Sequence, residues 1–348
     1  MNKTHRLVGL LLAVILVLAA CGGAQTSAPT PAPTADAPAA GDAPAPDAGD
    51  EPAFEIGAIN MVEHPALEAA FAGFLQALED EGINFTVDYQ NAQGDAATLT
   101  TIAQRFVNNN VDLILAITTP GAQAMASETE DIPIVGTAIT DYVVARLVES
   151  NEAPGTNITG ASDMNPIQAQ IELMLEFLPD MQTIGIMWSS NEPNSVHQAE
   201  IAQQVAQSLG LNVEVATVTT TVDVPQVALS LAGRSDAIYV PTDNTIANAM
   251  AAMAGVSLES GTPVFAGEEN MTRGGGVATL SVNYFDLGHQ SGVMAAQILR
   301  GEGVPATMPI QFAQGYNYVV NAEMVEALGL EVPSRLLSYL WHPDETAE

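Results

Sequence analysis

From Phe54 onward, apolar positions follow two alternating rhythms. Short runs rich in Val and Ile read as strands at Glu55–Asn60, Asn84–Gln90, Val111–Ile117 and Ile132–Ala138, and again at Thr183–Trp188, Asn212–Val218, Ala237–Val240 and Pro263–Ala266. Between them lie stretches of helical length and period: Pro65–Glu81, Ala96–Asn109, one opening at Pro120, Pro193–Leu209, Val222–Ala232 and Thr245–Leu258. Pro65, Pro120, Pro166 and Pro193 stand near helix starts, where a missing N–H costs nothing. This alternation predicts an α/β protein with parallel sheets covered on both faces by helices. The pattern also repeats. Asp112–Thr119 (DLILAITT) lines up with Asp236–Asp243 (DAIYVPTD), and each is followed by an Ala/Met-rich stretch and then a Pro-led strand. The chain has 348 residues, beyond the size at which one hydrophobic core stops growing. Two similar doubly wound lobes are therefore expected.

Before Phe54 the rhythm is absent. Lys3 and Arg6 precede an unbroken apolar run, Leu7–Ala20, too short for a span that needs about 20 residues and typical of an export signal. It ends Leu18-Ala19-Ala20-Cys21, which resembles the bacterial lipobox, with Cys21 the lipidated first residue of the mature chain. Cys21 is the only cysteine, so no pair exists for a disulfide, zinc or redox chemistry. Gly22–Ala53 holds seven Pro and eleven Ala and no aromatic residue. It cannot bury enough apolar surface to order itself and reads as a linker. Function is thereby assigned to Phe54–Glu348, outside the cytoplasm and tethered to the cell membrane.

Charge narrows the function classes. With 41 Asp and Glu against 8 Lys and Arg, the formal net charge is −33. Such a chain repels phosphate backbones and anionic headgroups, which excludes nucleic-acid binding and docking through a basic patch. No G-x-S-x-G, H-E-x-x-H, P-loop or EF-hand pattern occurs, and His64, His197, His289 and His342 lack metal-ligand spacing. No catalytic residue, metal or cofactor is expected.

Six stretches in order carry a resemblance: Val62–Leu67 (VEHPAL), Asp88–Asp95 (DYQNAQGD), Asp131–Ala138 (DIPIVGTA), Asn191–Ser195 (NEPNS), Tyr239–Asn244 (YVPTDN) and Val264–Glu269 (VFAGEE). Through them, Phe54 to about Pro333 resembles the type I periplasmic binding-protein fold. More narrowly, it resembles the ABC-transporter substrate-binding family that includes tryptophan- and tyrosine-binding lipoproteins. The resemblance implies a three-crossing hinge near Gly160, Ser281–Asn283 and Pro305. The organisation would then be a signal peptide (1–20), a lipidated Cys and linker (21–53), lobe 1 (54–159 plus 283–304) and lobe 2 (160–282 plus 305–348). It also implies a monomer that delivers an amino acid, with tryptophan, tyrosine or phenylalanine favoured, to an ABC permease and its ATPase.

In doubly wound sheets ligands bind outside the carboxyl ends of the strands, so the loops there are the candidates. Thr118 and Thr119 open a helix whose free N–H groups suit a carboxylate, unless they serve only as an ordinary cap. Asp243, with Asn244 beside it, occupies the equivalent loop of lobe 2. It reads either as a cap or as the acceptor of an ammonium. Glu268 follows the next strand. Glu63 and His64 follow the first, and Asn194 and Ser195 follow the Trp188 strand, where they could donate to ligand polar groups. A carboxylate site facing an ammonium site describes an α-amino acid, and other zwitterions fit as well. Two alternatives remain open: a ligand-sensing lipoprotein, and a surface-attached hydrolase using paired carboxylates such as Asp243 and Glu268.

Overall fold

The structure is a computed structural model that describes residues 53–343. The signal segment, Cys21 and the linker up to Pro52 lie outside the described residues. The chain begins with β1 (Phe54–Asn60), α1 (Pro65–Asp80), β2 (Phe85–Asn91), α2 (Ala96–Asn109), β3 (Leu113–Ile117), α3 (Thr119–Glu128), β4 (Ile134–Ile139) and β5 (Ile158–Ser162). Next come α4 (Ile167–Phe177), β6 (Thr183–Ser189), α5 (Pro193–Ser208), β7 (Asn212–Val218), α6 (Val224–Ala232), β8 (Ala237–Val240), α7 (Asn244–Ala247), α8 (Met250–Ser260), β9 (Val264–Ala266), α9 (Glu269–Arg273) and β10 (Ala278–Ser281). It ends with α10 (Tyr284–Leu299), β11 (Gln311–Phe312), β12 (Asn317–Asn321), α11 (Ala322–Ala327) and β13 (Leu340–Trp341).

Lobe 1 is built on a parallel six-stranded sheet in the order β11-β5-β4-β3-β1-β2. Lobe 2 carries a parallel four-stranded sheet, β7-β6-β8-β9, and a small sheet, β10-β12-β13. Both large sheets are buried on both faces. In β3, Leu113, Leu115 and Ile117 join one core, while Ile114 and Ala116 join the other. In β8, Ala237 and Tyr239 face one core, and Ile238 and Val240 face the other. This is the two-residue strand period with no polar face, as parallel sheets under helices require.

The internal repeat has a structural counterpart. Asp112 accepts from the Glu55 N–H at 2.8 Å, at the start of lobe 1's first strand. Asp236 accepts from the Gln182 and Thr183 N–H groups, both at 2.8 Å, at the start of lobe 2's first strand. Each aspartate ties the entry of its own strand to the start of the sheet neighbour that comes earlier in the chain.

Two expectations shift. The stretch Thr245–Leu258 is not one helix: it breaks at Asn248–Ala249 into α7 and α8. The first and third crossings come later than Gly160 and Pro305. β5 pairs with β4 through Ser162, so the chain leaves lobe 1 only at 163–166. β11 returns to pair with β5, which keeps the chain in lobe 1 through Phe312. The second crossing, at Val282–Asn283, falls between β10 of lobe 2 and α10, which packs on α1.

Candidate functional site

The loops after the strands of both lobes converge on one buried cavity of about 30 Å³ between the lobes. Lobe 1 supplies His64 and Ala138, and lobe 2 supplies Asn194, Asp243, Asn244 and Glu268, with Asp163 and Tyr284 coming from the hinge. No Lys or Arg lines it.

His64 is the N-cap residue of α1, in extended conformation, and Pro65 behind it takes the first helical position. Its side chain makes no cap bond, so the imidazole is free to point across the cleft, where Nε2 lies 3.8 Å from Glu268 Oε1. Burial pushes its pKa down to about 4, and it is neutral at pH 7.

The acids of lobe 2 are held by helix starts. Asp243 caps α7: Oδ1 accepts from the Ile246 N–H at 2.8 Å, and Oδ2 accepts from the Ser189 N–H at 2.6 Å. Glu268 caps α9, accepting from the N–H of Asn270 at 2.7 Å and from that of Met271. Burial pushes the Glu268 carboxyl up to about 7 against those two N–H bonds. Burial, and then the neighbouring Glu192, push Asp243 up as well. Both oxygens of Asp243 and of Glu268 thus accept from backbone N–H groups.

Glu192, which the sequence did not single out, organises this wall. Its carboxylate accepts from the Asn244 N–H (2.9 Å) and Nδ2 (2.6 Å), and from the Thr245 N–H (2.8 Å) and Oγ1 (2.7 Å). Asn244 is therefore spent on Glu192, although it borders the cavity. Ser195 Oγ and Asn194 Nδ2 both donate to the Thr242 carbonyl, at 2.9 and 3.2 Å. Ser195 is a support for that loop, and Asn194 does not donate into the cavity as expected.

Thr118 and Thr119 are buried at the head of α3, and neither hydroxyl has a partner. Thr118 holds φ 80°, an unusual conformation for a β-branched residue, and makes no side-chain cap bond. The reading of these residues as an ordinary cap therefore fails for the Thr118 side chain. Neither residue is part of the cavity lining. Glu63 is exposed and outside the site; it precedes the cap residue, and its side chain falls on the solvent side. Trp188 packs against the lobe 2 core.

A larger cavity, of about 810 Å³, opens at the opposite edge of the lobe 1 sheet, among residues that precede β4 and β5, such as Pro133 and Asn157. It has no buried acid and lies on the amino ends of the strands, away from the loops that converge between the lobes. The interlobe cavity is the better candidate on chemistry, despite its size.

Comparison with known proteins agrees. The chain is 38% identical over 280 residues to the tyrosine-binding protein of Clostridioides difficile, covering 79% of this chain and 81% of that relative. Among solved structures, it is similar to an ABC domain in complex with L-Trp from Streptococcus pneumonia, at 34% identity and a TM-score of 0.80, with 83% of this chain and 100% of that one covered. It is also similar to the ligand-free, open structure of a substrate-binding protein with adhesive properties from Clostridium difficile, at 41% identity and a TM-score of 0.64, covering 81% and 96%. The better fit is to the complex despite its lower identity, in keeping with a cleft that is nearly shut here. Residues 55–342 match the family described as ABC transporter substrate binding protein. With two parallel-sheet lobes, a buried cleft at the carboxyl ends of their strands and a match across nearly the whole described body, this chain belongs to the ABC transporter substrate-binding protein family.

Proposed function

We propose that this protein captures an α-amino acid with an aromatic side chain between its lobes and delivers it to an ABC permease. One observation carries the reading: buried acids and no cation line the cleft, and α3 of lobe 1 opens with two buried hydroxyls that have no partner. An ammonium suits the acids. A carboxylate suits the head of α3, where free N–H groups and the Thr118 and Thr119 hydroxyls await an acceptor. The aromatic preference draws on the relatives, one named tyrosine-binding and one solved with L-Trp.

Calorimetry with tryptophan, tyrosine, phenylalanine, leucine and a sugar panel tests it. Aromatic amino acids should bind most tightly. Sugar binding without amino-acid binding would sink the polarity argument, and a preference for leucine would sink only the aromatic one.

Substrate-binding proteins of ABC importers work outside the cytoplasm. The anchor proposed here is Cys21, so the mature chain should begin there and partition with membranes. Cys21→Ala should release it or block its processing. A wild-type chain cleaved elsewhere and freely soluble would rule the anchor out.

A further inference from the structure

The carboxyls around the cavity are not equivalent. Asp243 and Glu268 each give both oxygens to backbone N–H groups. Asp163 differs. Its Oδ2 accepts from the Tyr284 hydroxyl at 2.9 Å, while its Oδ1 is buried with no hydrogen-bond partner. Burial pushes this carboxyl up, and the hydroxyls of Thr140 and Tyr284 oppose that, though only the Tyr284 hydroxyl meets hydrogen-bond geometry.

Asn194 presents a second unpartnered acceptor to the same cavity. Its Nδ2 donates to the Thr242 carbonyl and to Ser195 Oγ. A carbonyl only accepts, so the amide cannot be turned around, and Oδ1 is fixed on the other side without a donor. Buried acceptors without donors are costly and rare in folded proteins. Two of the residues that line this cavity carry such an acceptor, and a group rich in N–H donors would answer both.

We infer that Asp163, with Asn194 of the same cavity lining, receives the ligand's ammonium through their free Oδ1 atoms. Two of the three ammonium N–H groups would meet those oxygens. The third would meet an outer lone pair of Asp243 or Glu268. The inference rests on the amino-acid reading above and moves the ammonium from Asp243 to Asp163.

The position has a mechanical consequence. Asp163 lies on the first crossing, and Tyr284, which holds it, follows the second. The same two crossings are tied by Asn165, whose Oδ1 accepts from the Val282 N–H at 2.9 Å. Asp163 is thus fixed where the hinge meets lobe 1, its N–H donating to the Ile139 carbonyl at 3.3 Å and its partner Tyr284 packing in the lobe 1 core, and it stays with lobe 1 when the lobes part. An entering ligand would meet this acceptor before the cleft closes.

The test is calorimetry on the full mature chain with L-tryptophan, L-tyrosine and L-phenylalanine, each against its des-amino acid. Wild type should prefer the amine-bearing form by roughly thirty-fold or more, the scale for a buried charge pair. Asp163→Asn keeps an acceptor for Tyr284 and should remove most of that preference while leaving des-amino binding within about threefold, since that ligand never engaged the charge. An Asp163→Asn protein that still discriminates like wild type overturns the assignment. So does loss of the preference in Asp243→Asn but not in Asp163→Asn. If folded wild type binds none of the three amino acids, the amino-acid reading fails and this one falls with it. If Asp163→Asn has no cooperative melt, a crystal structure of the wild-type complex decides. The ammonium nitrogen should lie within roughly 3.2 Å of Asp163 Oδ1, and placement elsewhere overturns the inference.

Discussion

His64 Nε2, from the first helix of lobe 1, lies 3.8 Å from Glu268 Oε1, at the head of a helix in lobe 2. Burial moves both groups toward their neutral forms, His64 from 6.5 to about 4 and Glu268 from 4.5 to about 7. The stability effects have opposite signs. His64 favours the fold above pH 6.5, and that contribution fades as pH falls toward about 4. Glu268 favours the fold below pH 4.5, and its contribution is lost as pH rises through about 7. Between 4.5 and 6.5 the two slopes oppose each other. Above 6.5 only the acids act, because Asp243 and Asp163 are shifted the same way as Glu268. The ligand-free melting temperature should therefore fall from pH 6.5 to 8, with a shallower slope in Glu268→Gln. Scanning calorimetry checks this, and equal slopes in the two proteins would remove Glu268 as the cause.

Gly288 of α10 lies against the backbone of α1. A Cβ placed there would stand 1.8 Å from the Ala70 carbonyl oxygen. The obstacle is main chain, so the helices must separate to relieve it. They carry much of one lobe 1 core, including Phe74, Leu78 and Leu287. Gly288→Ala should cost about 3 kcal/mol, the upper part of the usual range for overpacking. Urea titration measures it. A loss under about 0.5 kcal/mol, the size of an ordinary surface substitution, would mean that the helices have room to spare.

Most strands of the large sheets were legible, the central ones as apolar runs and the edge strands β2 and β7 as alternating ones rich in β-branched and aromatic residues. β5 was not, because Gly160 and Ser162 dilute its five residues (ITGAS). That omission hid Asp163, which a search for acids following strands would otherwise have found. β11 is two exposed residues whose only signature is pairing with β5. At the site, the rule that ligands sit beyond strand ends pointed to His64, Asp243 and Glu268, which line the interlobe cavity, and to Thr118, which does not. It did not reveal that the last two acids are consumed by helix capping, since a cap and a ligand site use the same residue types at the same place.

Glu192 shows why composition concealed the rest. Among 41 acids, one Glu before a proline carries no signal, yet it accepts four hydrogen bonds that join the start of α5 to the start of α7. Glu192→Gln puts an amide NH₂ against donors and lowers the charge, so some of these bonds must break. Hydrogen bonds to charged groups are worth about 1.5–3 kcal/mol each, and the substitution should cost at least about 2 kcal/mol by the same scale. Ligand affinity should fall in step, because Asp243 and Asn244 lose their support. Chemical denaturation together with calorimetry tests this. Wild-type stability would show that the four bonds are matched equally well by water.

The cleft is nearly closed here, and its remaining cavity of about 30 Å³ is far below the roughly 300–1,000 Å³ of typical ligand sites. An aromatic amino acid can enter only if the lobes part. Little opposes that. Across the mouth, His197 Nε2 lies 3.5 Å from Asp141 Oδ2, with both side chains about 24% exposed, and pairs of this kind contribute about 0–1 kcal/mol. Gln198 Nε2 reaches Thr140 Oγ1 at a long 3.4 Å. Contacts this weak hold the lobes together only when something between them adds affinity for the closed form. The radius of gyration from X-ray scattering should therefore fall when a saturating aromatic amino acid is added. Asp141→Ala should weaken binding by no more than about fivefold, the equivalent of 1 kcal/mol. An unchanged radius at saturation would argue against hinge closure. A much larger loss in Asp141→Ala would mean that the mouth pair, and not the ligand, sets the closed state.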